Sequence, residues 1–189
     1  PNLVERADPG PIIDQAFNPT ARRLQRLRMP TVAAVNGVAA GAGASLAMTC
    51  DIAIASPAAS FIQAFSKIGL IPDAGSSWFL VERLGLARAM ALAMTGDKLP
   101  AAQAKEWGLV WEVADDCVGA SLALAERLAN MPTKALVATR ALLRDASTRT
   151  LDQQLDVERD TQSLLGKTHD YMEGVKAFLE KRPPNFKGH

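Results

Sequence analysis

Histidine and cysteine are both scarce, with 2 of each in 189 residues. His169 and His189 have no neighbouring pattern of Cys, His or acid, which excludes the usual zinc spacings and a Ser/His triad. Cys50 and Cys117 stand far apart in apolar surroundings, without the spacing of a metal site or a redox pair. No disulfide framework follows from them, and a reducing cytoplasm is the expected compartment. The chemistry this chain can support therefore runs without metal and without histidine. Charge of one sign is missing as well: 21 Lys and Arg face 20 Asp and Glu, a net of +1, so nothing draws the chain to nucleic acid or to an anionic membrane. A local basic run, Arg22 to Arg28 (RRLQRLR), places Leu24 and Leu27 at helical spacing and reads as a solvated helix face. Long apolar runs are few. Val32 to Ala55 comes nearest to a membrane span, and Asn36, Ser45, Thr49 and Asp51 interrupt it. The chain begins at Pro1 without an initiator Met, and charged, proline-rich residues follow in place of a signal sequence, so an upstream portion is expected.

What is present is a globular composition, 48% hydrophobic, enough to fill the core of one substantial domain. Residues 1 to 11, with Pro1, Pro9, Gly10 and Pro11 among charges, predict a mobile arm. Helical spacing runs from Ile12 to Leu27, interrupted by Pro19 and closed by Pro30. TVAAVNG predicts a buried strand, GVAAGAGASLAMTCD a small-residue turn into a helix, and DIAIAS and ASFIQAF two more short strands. A helix is predicted from Asp73 or Ala74 to about Leu84, another over LARAMALAM closed by Thr95 and Gly96, and a third over PAAQAKEWG. LVWEVAD predicts a strand, with Trp107 and Trp111 in the core. From Asp116 onward the pattern is helical up to the loop-like PPNFKGH. An α/β layer thus precedes a helical region, and the apolar positions left over on the helices from Leu151 to Leu179 predict self-association.

Two stretches carry chemistry. NGVAAGAGASLA places Gly37, Gly41 and Gly43 between a strand and a helix, where small residues let backbone approach a ligand and the unsatisfied N–H groups of a helix start face it. Tight helix–strand packing alone would explain the same glycines. A dinucleotide fingerprint fits poorly, because Leu46 occupies the third glycine position. The second stretch, KIGLIPDAGSSWFL, isolates one carboxylate, Asp73, after Pro72. There an acid can cap a helix, or it can act as a base of raised basicity in a dry pocket made by Phe65, Ile68, Leu70, Ile71, Trp78 and Phe79. Ser66 and Lys67 are candidate partners for that pocket.

Together AAVNGVAAGAGASLAMTCDIAIAS and FSKIGLIPDAGSSW, with TGDKLPAAQAKEWGLVWEVAD and YMEGVKAFLEKRPPNFKGH, resemble the enoyl-CoA hydratase/isomerase, or crotonase, superfamily from about Arg23 to His189. The IPDAG and EWGLVWEV wording is most like the branch that isomerises ring-epoxidised phenylacetyl-CoA. The resemblance implies an α/β crotonase-like spiral of β-strand turns with a helical C-terminal region, assembled as trimers paired into hexamers. It divides the chain into residues 1–115, the C-terminal portion of the spiral core, and residues 116–189, a helical trimerisation region. It places Ala42 as the backbone N–H donor to a thioester carbonyl, with Ala40 and Gly41 beside it in the substrate-binding stretch. The second donor of the family, usually in an Ala-Gly-Asp segment, has no counterpart here.

By the same resemblance Ser45 and Phe65 hold the positions of the two hydratase glutamates. Asp73, eight positions beyond Phe65 (73 − 65 = 8), is the acid facing the pocket and would shuttle a proton within an acyl-CoA. Phe65 and Trp78 would border the acyl group, and Phe178 and Lys181 would meet the CoA nucleotide. CoA enters as the substrate's handle, so the implied cofactor requirement is none and no metal is implied. Two other readings stay open: hydration or dehalogenation on the same fold, and a non-catalytic CoA-binding or oligomerisation module.

Overall fold

The computed structural model describes residues 8–189, so the expectation for residues 1 to 7 lies outside the described residues. Pro19 shapes the first helical stretch. Helix α1 (Gly10–Ile12) passes through a π-turn over Ile13–Phe17 into α2 (Asn18–Arg26). Pro19 lacks an N–H to donate back to the preceding turn, and the wider turn just before it, with Asn18 N–H reaching Ile13 O, absorbs the break. Gly10 and Pro11, expected to be part of a mobile arm, already form a helical turn with Ile12.

From Thr31 the chain winds through two small sheets. Strand β1 (Val32–Val35) leads through Asn36 and Gly37 into β2 (Val38–Ala40), then α3 (Ala42–Thr49), β3 (Ile52–Ala55) and β4 (Ser60–Ile62). A 3₁₀ turn over Ala64–Ile68 precedes α4 (Ser76–Thr95), β5 (Lys98–Pro100), α5 (Ala101–Glu106) and β6 (Glu112–Val113). One sheet has the order β1-β3-β6, all parallel, and the other β2-β4-β5, with β2 and β4 parallel and β5 antiparallel. Val32 pairs with Ile52 and Val38 with Ser60, so one winding consumes 20 residues in the first sheet (52 − 32) and 22 in the second (60 − 38). Parallel neighbours need a crossover. Here each crossover runs through the other sheet and at least one helix, which is the expected spiral of strand turns.

The small side chains of β1 to β4 let the helices close over both sheets, around a core that includes Met48, Ala53, Phe61, Leu80, Leu99 and Val110. Arg83 on α4 fastens this arrangement: its guanidinium donates to Met48 O (2.7 Å) and Cys50 O (2.6 Å), the carbonyls that end α3. A cation at a helix C-terminus meets the negative end of the dipole while satisfying groups that have no intrahelical partner.

Several expected boundaries move. Val38 to Ala40, expected as turn, is a strand, because it ladders onto β4. LVWEVAD contributes only Glu112 and Val113 to a sheet. Trp111 is 71% exposed rather than in the core, whereas Trp107 packs against the core with the Arg88 guanidinium 4.8 Å from its ring centre. Helix α4 starts at Ser76, not Asp73 or Ala74, and continues to Thr95 across a kink at Gly85 (φ 73°, ψ 164°) that separates the two helices the sequence predicts.

The described residues fall into two compact units, 8–27 with 31–122, and 28–30 with 123–189. The division lies within α6 (Cys117–Ala129). The second unit holds α7 (Thr133–Asp145), α8 (Leu151–Leu165), started by a Thr150/Gln153 capping box, and α9 (His169–Glu180). Its C-terminal tail has no regular structure but is fastened to α9. Arg182 pairs with Glu173 at 2.7 and 2.9 Å, and Asn185 N–H donates to the same carboxylate, which together hold Glu173 down to about 2. Burial pushes the Asp170 carboxyl up, but the N–H groups of Lys187 and Gly188, with His169, outweigh it and leave the group below its ordinary value. Leu151, Leu155, Leu164, Met172, Phe178 and Leu179 are exposed along α8 and α9. Among the described residues, no helix is long and apolar enough to cross a membrane, and no group of His, Cys, Asp and Glu could hold a metal ion.

Candidate active site

The turn from β2 into α3 is made by Gly41, with φ 50° and ψ −122°, a conformation that glycine adopts freely and L side chains rarely do. Its N–H extends the β2–β4 ladder to Ile62 O (2.9 Å), and its carbonyl accepts from Ser45 N–H (3.1 Å), the first bond of the helix. The chain thereby swings from strand to helix in one residue. Ala42 follows as the first helical residue, where the N–H has no intrahelical acceptor. Ala40, at the end of β2, is exposed and pairs with Ile62. A Cβ on Gly41 would stand 3.6 Å from the ring of Phe65, so that buried ring packs directly on the helix start. Ser45 is fully buried and turns its hydroxyl back to Gly41 O (3.2 Å).

Asp73 sits on a turn of unusual backbone. Ala74 (φ 51°) and Gly75 (φ 84°) both lie in the left-handed region, and Ser76 N–H closes back on Asp73 O at 2.9 Å. The residue that caps α4 is Gly75, and no side chain accepts from the helix start, so the capping role open to Asp73 in the sequence is not the one it has. Instead its Oδ1 is buried and accepts no hydrogen bond. Burial pushes the carboxyl above its ordinary value, and its own backbone N–H pulls the other way without cancelling the shift. A carboxylate oxygen deprived of both water and a donor is a poor cap and a good proton acceptor.

The apolar ramp before Asp73 does not wall it as expected. Ile68, Leu70 and Ile71 are 71%, 43% and 81% exposed, because the 3₁₀ turn ends at Gly69 in a left-handed residue and the chain then leaves the core. Over residues 65–80, Phe65, Ala74, Ser76, Phe79 and Leu80 are buried. Trp78 is half exposed and stands edge-on to Phe79, with ring centres 4.9 Å apart. Ser66 and Lys67 are exposed and lie against Gly96 at the end of α4, rather than serving Asp73. Phe178 and Lys181 belong to the second unit. Phe178 is 82% exposed on α9, and Lys181, itself left-handed (φ 54°), ends that helix.

Gln63 and Ser76 do not stand out in the sequence. Both are buried, and Ser76 Oγ donates to Gln63 Oε1 at 2.9 Å, tying the turn that carries Asp73 to the segment that carries Phe65. Their signal in the sequence was slight: two uncharged polar residues inside otherwise apolar stretches. Helices α3 and α4 pack together, and α4 packs on the 3₁₀ turn, so Gly41, Ala42, Phe65, Asp73 and Ser76 are all carried by mutually packed elements of the first unit. Such a set offers a backbone donor for a developing oxyanion and a carboxylate with one buried, unpartnered oxygen to move a proton.

The family model described as enoyl-CoA hydratase/isomerase matches residues 5–189. The 1,2-epoxyphenylacetyl-CoA isomerase of Escherichia coli (strain K12) is 52% identical over 183 residues, covering 96% of this chain and 70% of that protein. The 2,3-dehydroadipyl-CoA hydratase of the same organism is 38% identical over 168 residues, covering 88% of this chain and 66% of that protein. Among solved structures, an enoyl-CoA hydratase from Bacillus anthracis superposes with a TM-score of 0.90 at 29% identity, over 98% of this chain and 73% of the other. An enoyl-CoA hydratase from Polaromonas sp. JS666 gives 0.86 at 36% identity, over 95% and 72%.

Proposed function

Given that this chain belongs to the enoyl-CoA hydratase/isomerase, or crotonase, family, we propose that it is an acyl-CoA isomerase in which Asp73 moves a proton within ring-epoxidised phenylacetyl-CoA or a related unsaturated acyl-CoA. The observation that carries this reading is the buried, unpartnered Oδ1 of Asp73. The carboxylate takes a proton from the carbon next to the thioester, the electron pair moves onto the thioester oxygen, and Ala42 N–H stabilises the resulting enolate more than the ground-state carbonyl. The same carboxyl then returns the proton to another carbon. Substrate and product have one composition, and the step calls for no metal or redox cofactor. Phe65 and Trp78 border the acyl group beside Ala40 and Gly41, and Phe178 and Lys181 meet the nucleotide end of CoA across a subunit boundary. The cytoplasm is the proposed compartment, since two cysteines in 189 residues make no disulfide framework.

Deuterium wash-in tests the proton step without the physiological substrate: phenylacetyl-CoA incubated with the enzyme in D2O is expected to gain mass at its α-carbon. No gain would sink the proposal and favour a CoA-binding module. A hydratase is the second reading, supported by the named hydratase among the relatives. With Ser45 and Phe65 in place of acids, hydration of crotonyl-CoA is expected to be negligible beside the exchange. Rapid hydration would reverse that assignment.

The exposed apolar residues of α8 and α9 support a trimer or hexamer in the same proposal. Sedimentation at micromolar concentration is expected to show one of these, and a clean monomer would refute it.

A further inference from the structure

We propose that the buried Ser76–Gln63 hydrogen bond is a positioning latch, holding the left-handed turn at Ala74 and Gly75 so that the unpartnered oxygen of Asp73 stays aimed and dry. This inference rests on Asp73 being the proton-transfer group. The Asp73 Oδ1 has no partner, so no donor fixes that oxygen and the backbone must place it. That backbone is unfavourable: Ala74 at φ 51° pushes its Cβ toward the neighbouring carbonyl, which only a surrounding structure that over-determines the conformation can sustain.

Two features supply the restraint. Ser76, one residue past the turn, bonds to Asp73 O through its N–H and to Gln63 Oε1 through its hydroxyl, so one residue holds both ends of the turn. Gln63 is 3% exposed and Ser76 fully buried, so neither can exchange its partner for water, and breaking the bond strands a buried polar group. Gly75 adds a steric limit. A Cβ there would come within 3.2 Å of the Phe79 ring, so that ring closes off one direction in which the turn could relax. Gln63 also lies two residues before Phe65, whose ring packs on Gly41 at the helix start, so the latch ties base and oxyanion donor to one segment.

Ser76→Ala, Ser76→Thr, Gln63→Leu and Asp73→Asn test this with the D2O exchange of phenylacetyl-CoA, measured across pH with melting temperatures alongside. Ser76→Ala and Gln63→Leu are expected to lower kcat about tenfold with KM changed less than twofold. Releasing the turn lets water reach the Asp73 carboxyl, so the acid limb of the rate profile is expected to move to lower pH, toward the ordinary carboxylate range. Ser76→Thr keeps the hydroxyl and is expected to restore both rate and limb. A residue that served stability alone would lower the melting temperature and leave the limb in place, and that result overturns the proposal. Loss of the fold in both Ser76→Ala and Gln63→Leu also overturns it, since the pair would then be a requirement of the whole unit. Asp73→Asn separates the two levels. If it keeps full exchange, the reading of Asp73 itself fails; if it abolishes exchange while Ser76→Ala matches the unmodified enzyme, the latch alone fails.

Discussion

Asp73→Asn is expected to lose at least about a hundredfold in turnover, the lower end of what a positioned acid–base group supplies, while keeping the fold and gaining thermal stability near neutral pH. The activity half follows from chemistry: an amide of the same shape cannot accept a substrate proton. The stability half follows from burial. Because desolvation raises the folded-state pKa of Asp73 above its unfolded value, ionised Asp73 costs stability wherever the unfolded carboxyl is also ionised. That cost fades as pH falls through the raised value and is gone below the ordinary carboxylate range. The asparagine variant should therefore melt higher than the unmodified chain at pH 7, and the two curves should converge in acid. Since the cap of α4 is Gly75, no capping loss offsets the gain. Melting curves at several pH values, paired with the exchange assay, decide the matter. Retained turnover would remove Asp73 from the mechanism, and a fall in melting temperature at pH 7 would show that its carboxylate has a stabilising partner.

Gly41→Ala is expected to lower both stability and turnover, through backbone rather than crowding. Its new Cβ would sit 3.6 Å from the Phe65 ring, an ordinary packing distance. The cost arises because φ 50° with ψ −122° is a glycine conformation, worth roughly 1 to 3 kcal/mol when a side chain is forced into it. If the turn instead relaxes, the strand-to-helix swing changes and Ala42 N–H leaves its place. Losing one such donor typically costs a hundredfold or more in rate. Differential unfolding should show the destabilisation, and exchange of phenylacetyl-CoA should show a lower kcat with little change in KM. An alanine variant as active and as stable as the unmodified chain would refute the assignment of this turn as the oxyanion donor's support.

The sequence by itself determined the repeating course of short apolar segments and small-residue turns, and so most of the strands and helices of the spiral. Periodicity and glycine placement act through the local backbone, and Gly41 at the strand-to-helix turn and Gly96 at the helix end both have positive φ. The sequence also isolated Asp73 and tied the motifs around it to a family. Where it failed, the deciding force acted between segments distant in the chain. Val38 to Ala40 became a strand only because β4 came alongside, and Trp111 faced outward because only the two residues after it joined a sheet. The ramp from Ile68 to Ile71 looked like a pocket wall by composition, yet the left-handed residue at Gly69 carried it into the open. Tertiary structure alone settled that Asp73 caps nothing, since capping depends on where α4 begins, and α4 begins after a turn that Ser76 and Gln63 close from 13 residues apart. Local rules can name a carboxylate, but its protonation depends on what surrounds it, and those neighbours are brought together only when the chain folds.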